Sequence, residues 1–437
     1  MEDTPIVKLL WKLSPPVMLA LLIQSVYNIV DSYFVSRYSE AGLTALSIIF
    51  PIQLLMTALA TGTGTGINIL ISRMDGTGET KSQTDFVKSG LFLGLLNYLI
   101  FAFLGLLFIK SYYSVSSDQT LVQEQGIQYA QIVFVGSFGL FIESNCTKIL
   151  QAKGNMVTPM IAQVTGAVIN VIFDPILIFG MFGMPELGVA GAAIATIAGQ
   201  IVAMMITFAA VCQIYHFQGK VQVQNCIQIY RAGIPSIIMQ SLYTLYIAGL
   251  NLMLKLFTED AVTVLGIYYK LQTFFFIPLM GLQQVILPII SFNYGAGRKE
   301  RVRDTLKYST LFSCGIMFVA VVIFMAIPER LLSIFSDRDS IIHIGCPALR
   351  IISGSFIPAG LVMMFTVYFQ GIDRGKASIF ITVLRQIVLL VPLAWIFHYA
   401  GLRYVWFTFV VTELIATIAS LILYKKNKAS RASQRSR

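Results

Sequence analysis

EAGLTALSIIFPIQLLMTALATGTGTGINILISRMDGTG, residues 40–78, returns 219 residues later as EDAVTVLGIYYKLQTFFFIPLMGLQQVILPIISFNYGAG, residues 259–297. The match needs no gap, and 11 of its 39 positions are identical. Glu40 meets Glu259, Thr44 meets Thr263, Leu46 meets Leu265 and Gln53 meets Gln272. Gly62 meets Gly281, Ser72 meets Ser291, and Gly76-x-Gly78 meets Gly295-x-Gly297. Apolar segments resemble one another by composition alone, so the polar and glycine matches carry the signal. A second match, at offset 217, lays Thr165–Phe179 on Thr382–Ile396 and Pro175 on Pro392.

Working outward, each copy begins with an apolar run near the ~20 residues that span a hydrocarbon core. Such runs recur along the chain and predict twelve helices, near 14–35, 47–72, 87–109, 126–150, 158–180, 189–213, 233–256, 264–291, 308–328, 345–371, 377–399 and 403–424. A transmembrane barrel would show short alternating segments instead. The fold expected is an all-α integral membrane protein, twelve transmembrane helices in two parallel six-helix repeats. An even number of crossings returns the chain to its starting side, so the halves point the same way, with a binding site between or within them. The boundaries expected are an N-terminal lobe at 1–213, a cytoplasmic linker at 214–232, a C-terminal lobe at 233–424 and a basic cytoplasmic tail at 425–437.

Composition agrees. Of 437 residues, 56% are hydrophobic and 12% charged, against about 25% charged in a soluble domain. The first predicted helix begins at Pro15 and Pro16 and has no small-residue cleavage site after it, so it reads as a retained span. The net charge of +10 would suit a nucleic-acid partner, but its distribution does not. With both termini inside, 22 of the 31 Lys and Arg fall on the cytoplasmic side and six outside (Arg37, Lys110, Lys255, Arg330, Arg338 and Arg403). This is the positive-inside pattern of a multi-pass plasma-membrane protein. The tail from Lys425 reads as a solvated stretch close to anionic lipid. Cys146, Cys212, Cys226, Cys314 and Cys346 are odd in number and not closely paired, so no disulfide framework is expected. His216, His343 and His398 are isolated, with no metal-ligand spacing.

Four acids lie inside spans: Asp31, Glu143, Asp174 and Glu413. A charge at the bilayer centre costs at least about 2.5–3.5 kcal/mol, so each is a functional candidate. Gln24, Tyr27, Asn28 and Asp31 are spaced i, i+3, i+4 and i+7, one face of a helix that must meet a wet cavity or another helix. Asn170 lies one turn before Asp174, and Pro175 frees the carbonyl of Val171. That group could hold a proton or supply the oxygens of a Na⁺ site. The repeat places Leu250 opposite Asp31 and Val391 opposite Asp174, so the acid chemistry belongs to the first half. Glu143, near Lys148, reads as a local ion pair, a gate or a coupling acid; Glu413 reads as a packing acid. Lys270, Arg350 and Arg385 are cations inside or bordering spans; Arg385 has no acid at i±4 and needs a partner from another helix, unless it lines a cationic pocket. Gly62-Thr-Gly-Thr-Gly66 and Gly76-Thr-Gly-Glu-Thr-Lys81 fail the phosphate-loop spacing; the first permits close helix approach. There is no nucleotide site and no nucleophile–base set. The chain is therefore not expected to be an enzyme or to carry a cofactor, and an ion gradient must supply the energy.

These motifs resemble the MATE family of multidrug and toxic compound extrusion transporters, within the MOP superfamily, over essentially the full length. Tyr27-Asn-Ile-Val-Asp31-Ser-Tyr-Phe-Val-Ser36 is similar to the family's first-helix aspartate motif, and Asn170-Val-Ile-Phe-Asp174-Pro175 to the fifth-helix motif of its DinF-type branch. Gly188-Val-Ala-Gly-Ala-Ala-Ile-Ala-Thr196 matches the segment after it. Gly233-Ile-Pro-Ser-Ile-Ile-Met-Gln240, Tyr269-Lys-Leu-Gln272 and Asn293-Tyr-Gly-Ala-Gly297 resemble the MepA-like subgroup. The resemblance implies two lobes forming a V, alternating access, and export of cationic or amphipathic drugs in exchange for H⁺ or Na⁺, by a monomer. It implies an ion-coupling cluster of Asp31, Asn170, Asp174 and Thr196, and a cavity to which Gln24, Tyr27, Asn28, Tyr243 and Arg385 are assigned. The chain departs from the NorM-type pattern, with Tyr243 and Met363 near the acids of that branch's second lobe. A lipid-linked oligosaccharide flippase of the same superfamily is the alternative; its pyrophosphate substrate would need cations such as Arg385 and Lys270.

Overall fold

The computed structural model describes residues 4–79, 82–215, 219–336 and 338–433. His216, the Thr80-Lys81 end of the second glycine-rich stretch, and tail residues 434–437 lie outside the described residues. Among those described, ten helices are each long and apolar enough to cross a bilayer, and two bent pairs bring the number to twelve when each pair counts as one span. Contacts divide the chain into two units. Unit 1 spans Lys12–Gln240 with Gly295–Gly297; unit 2 takes residues 4–11, Ser241–Tyr294 and the chain from Arg298 onward.

Unit 1 contains most of α1 (Ile6–Tyr38), then α2 (Glu40–Thr77), α3 (Gln83–Ser116), α4 (Thr120–Gly136), α5 (Phe138–Ala152), α6 (Val157–Phe179), α7 (Val189–Ile214) and the first half of α8 (Val223–Lys255). α1 begins at Ile6, ahead of the start expected near residue 14, so Pro15 and Pro16 sit inside it. Leu9, Leu10 and Leu13 are buried, so packing holds the extra turns in place. α2 is also longer than its apolar run. Ser39 caps its start by accepting from the Gly42 amide (3.0 Å), and Gly78, at φ +78°, ends it with its own amide donating to the Met74 carbonyl. A left-handed C-cap is where glycine is favoured. Tyr112 and Tyr113 of α3 donate to the carbonyls of Ile48 and Ala45, each at 2.8 Å, and so tie α3 to α2. The glycines of Gly62–Gly66 let α2 and α8 touch, since a methyl on Gly66 would strike the Ile229 carbonyl.

Unit 2 contains the rest of α8, then α9 (Glu259–Gly295), α10 (Lys299–Ala326), the short α11 (Pro328–Ser333), α12 (Asp339–Ser353), α13 (Phe356–Gly371), α14 (Gly375–Val383), a π-helical segment at Leu384–Leu390, α15 (Val391–His398) and α16 (Leu402–Ser433). Its core is aromatic: Phe324 meets Phe356 at 4.9 Å and Phe275 at 5.1 Å, edge to face. α9 ends as α2 does, with Gly297 at φ +69° just beyond it. The matched Gly-x-Gly pairs of the two sequence copies are thus matched helix ends, not phosphate loops.

The bends are matched too. α4 and α5 meet at 45° and α12 and α13 at 48°. The first bend carries Gly136-Ser137-Phe138 and the second Gly354-Ser355-Phe356. Ser137 donates to the Phe134 carbonyl (2.8 Å) and Ser355 to the Ile352 carbonyl (2.6 Å). A hydroxyl bonded back into the preceding turn competes with the helix ladder and bends it.

The segment bounds differ from those expected. The segment expected as a linker, 214–232, is helical from Val223, and the contact boundary falls inside α8 at Gln240. The expected tail is helical as far as Ser433. Lys270 and Arg350, expected inside or bordering spans, are exposed, and Lys270 stands over the Phe335 ring at 5.7 Å. All five cysteines are free.

Candidate functional site

The site in unit 1 begins with two glycines. A methyl on Gly166 of α6 would lie 2.7 Å from the Gly199 carbonyl of α7, and a methyl on Gly199 would strike the Gly166 carbonyl in return. The helices therefore touch backbone to backbone, as small residues allow. Asn170 lies one turn beyond Gly166, and Thr196 nearly one turn before Gly199. The crossing brings them together: the Asn170 amide donates to Thr196 Oγ1 (3.3 Å) and to Asp174 Oδ1 (3.4 Å). Asp174 is fully buried and Asn170 nearly so. α6 runs unbroken as a helix through Pro175.

α1 supplies the second carboxyl. Asp31 comes within hydrogen-bond reach of Asp174. Three buried oxygens at this point have no hydrogen-bond partner: Asp31 Oδ1, Asn170 Oδ1 and Asp174 Oδ2. Among the described residues, no Lys or Arg pairs with either aspartate. Two carboxylates cannot both stay ionised at such range without a cation between or beside them. Such a pair can take up a proton or sit beside a cation. Tyr129 of α4, which accepts from the Gln53 amide at 3.2 Å, stands near Asp31.

A cavity of about 90 Å³ adjoins this cluster. Asn170 and Thr196 line it, with Gln24 and Tyr27 of α1, Glu143 of α5, Gln163 of α6 and Gln200 of α7. Its volume suits a few water molecules, well short of the ~300 Å³ at which drug-sized pockets begin. Of the α1 stripe, Gln24 and Tyr27 reach this lining and Asn28 does not; Asn28 is exposed. Glu143, which in sequence reads as an ion pair, a gate or a coupling acid alike, is part of this lining. The polarity of its helix was the available signal: Glu143, Ser144, Asn145, Thr147, Lys148 and Gln151 crowd into nine residues at the end of an expected span.

In unit 2 the two remaining cavity candidates have other partners. Arg385, on the π-helical segment, pairs with Glu413 of α16, Nε to Oε1 at 2.5 Å. Arg385 is therefore not a free cation, and Glu413 is its counter-ion rather than a solitary packing acid. Tyr243 packs edge-on against Tyr246 at 5.3 Å, and Tyr246 in turn lies within electrostatic reach of both Arg385 and Glu413.

Comparison with known proteins gives this geometry a family. The MatE family model matches twice, over residues 16–176 and 235–396, one copy in each half of the sequence. A FAD transporter of Shewanella oneidensis is 24% identical over 431 residues, covering 97% of this chain and 95% of that protein. The multidrug export protein MepA of Staphylococcus aureus is 25% identical over 438 residues, covering 97% and 94%. Among solved structures, a MOP superfamily transporter from Pyrococcus furiosus superposes with a TM-score of 0.90 at 24% identity, covering 98% of this chain and 97% of that one. A MATE transporter in its straight conformation gives 0.91 at 24% identity, with the same coverage. The double match bears out the internal repeat, and with it the all-helical, multi-pass membrane fold: the chain belongs to the MatE family, transporters rather than enzymes.

Proposed function

We propose that this protein is a secondary antiporter that exports organic, mostly cationic or amphipathic compounds in exchange for H⁺. The observation that carries the reading is the meeting of Asp31 and Asp174 with unpartnered oxygens and no fixed counter-cation among the described residues. The MepA relative, a multidrug export protein by name, supports export of drugs. A proton loaded from outside neutralises the pair and weakens its hold on a cationic drug, which leaves outward. Loss of the proton inward restores the charge for the next drug. The two ligands compete for the same carboxyls, which is sufficient to couple them. The protein acts as a monomer in the plasma membrane. Both termini lie in the cytoplasm, the side that the Lys and Arg distribution favours.

The anion-handling readings fare worse. A pyrophosphate-carrying lipid or a dinucleotide needs unpaired cations, whereas Arg385 is neutralised by Glu413. The test is ethidium transport in proteoliposomes under an imposed pH gradient or a Na⁺ gradient of matched size. Transport that follows the pH gradient supports H⁺. Transport that follows Na⁺ alone transfers the same oxygens to a Na⁺ site.

A further inference from the structure

We propose that Glu143 is a second proton-binding carboxyl of the transport cycle, through which the proton taken up at Asp31 and Asp174 leaves toward the opposite end of the helices. This rests on the coupling reading above and extends it to a residue that reading does not use.

Three observations place Glu143 on such a path. First, it shares a cavity with the coupling cluster. Asn170, which bonds Asp174, lines one part of that cavity and Glu143 another. Water in that space would connect them. Second, the two acids lie at different depths. Glu143 stands nine residues before the end of α5 and Asp174 seventeen after the start of α6. At a rise of about 1.5 Å per residue these are about 13 Å and about 25 Å from the turn that joins the helices. Third, polar side chains continue from Glu143 along α5 to that turn. Thr147 donates to Glu143 Oε1 (2.6 Å), and Lys148 donates to Gln151 Oε1 (2.9 Å). At the helix end, Lys153 donates to Asp75 (2.6 Å) and to Gln83 (2.7 Å). All of Glu143, Thr147, Lys148 and Gln151 are buried. A lipid-facing or core helix has no packing need for such a row, because every member must be satisfied inside.

The transfer balances simply. The shared proton of the aspartate pair passes to water, water passes a proton to the Glu143 carboxylate, and the aspartates regain their full negative charge. Thr147 donates to Oε1 and Gln163 of α6 also hydrogen-bonds this carboxylate, which holds it in place to take the proton. The titratable and charged groups around Glu143 are Lys148 and Cys146 on its own helix and Tyr27 on α1, with the neutral Gln163 from α6. α2 meets Lys148 through Gly64 and Asn68, neither of them titratable.

The experiment uses the full chain in proteoliposomes with ethidium as the probe and compares two modes. Net transport driven by a pH gradient needs proton release; ethidium–ethidium exchange at equal pH does not. In Glu143→Gln, gradient-driven transport should fall roughly tenfold or more while exchange stays within about threefold of wild type. Glu143→Asp, which keeps a carboxyl, should recover a substantial part of the driven rate. Unchanged driven transport in Glu143→Gln overturns the proposal. So does equal loss of both modes in protein with an unchanged melting temperature, which would make Glu143 part of substrate binding. Failure of the coupling reading itself looks different: Asp31→Asn and Asp174→Asn would then both transport normally under the gradient.

Discussion

α6 and the segment Gly375–His398 are copies of one sequence, with Pro175 on Pro392, yet they hold charge in opposite ways. α6 is regular and carries Asn170 and Asp174, with Asp31 alongside and no fixed cation among the described residues. Its copy contains a π-helical segment with Arg385, neutralised by Glu413 of the next helix. A carboxyl pair without a built-in cation can take one up, and in the function proposed above its charge changes as ligands come and go. An arginine–glutamate pair neutralises itself and has nothing to exchange. Duplication supplied the same helices twice; only one copy was left electrically open.

The largest effect should come from opening that asymmetry. Asp31→Asn and Asp174→Asn should each abolish gradient-driven ethidium efflux at matched expression. Because the two share one function, the double variant should be no worse than either single one. Near-normal efflux in both single variants would remove the coupling role from unit 1.

The second test breaks the closed pair. Glu413→Gln strips the counter-ion from Arg385, and loss of one partner of a buried pair costs about 3–5 kcal/mol, somewhat less here because Arg385 is partly accessible. The melting temperature should drop, whereas the paired change Arg385→Met with Glu413→Leu should regain most of the loss. Efflux per folded molecule should fall far less than in the aspartate variants. A loss of efflux as deep as theirs, with the melting temperature unchanged, would make the second half a partner in coupling.

A smaller effect is expected at the helix crossing. Gly199→Ala pushes a methyl against the Gly166 carbonyl, an overpacking of about 1–3 kcal/mol. It should lower the melting temperature and weaken efflux by separating Asn170 from Thr196. The smallest is Thr196→Val, which removes one hydrogen bond worth about 1 kcal/mol. A several-fold fall in driven efflux would be expected, and a complete loss would raise Thr196 to the rank of the aspartates.

Much of the fold was legible in the chain because a bilayer imposes length and polarity on every span. The twelve runs, the duplication and the matched Gly-x-Gly ends follow from local composition and spacing. The helix ends were less legible, since α1 and α2 continue past their apolar runs, where capping and packing rather than hydropathy set the limit. The candidate aspartates were visible as charges in apolar surroundings, and the face of α1 followed from helical spacing.

What spacing could not decide was which polar residues meet. Asn28 belongs to the same arc as Gln24 and Tyr27, yet only those two reach the cavity. Arg385 and Glu413 are 28 residues apart and read as unrelated until two helices place them at 2.5 Å. Glu143 joins the cavity because α5 shares its wall with α1, α6 and α7. Sequence alone determined that this chain crosses a membrane repeatedly, that its halves are copies, and that the first half keeps acids the second lacks; those properties depend on one helix at a time. Which acid is open and which is neutralised depends on contacts between helices, and those only the tertiary structure decided.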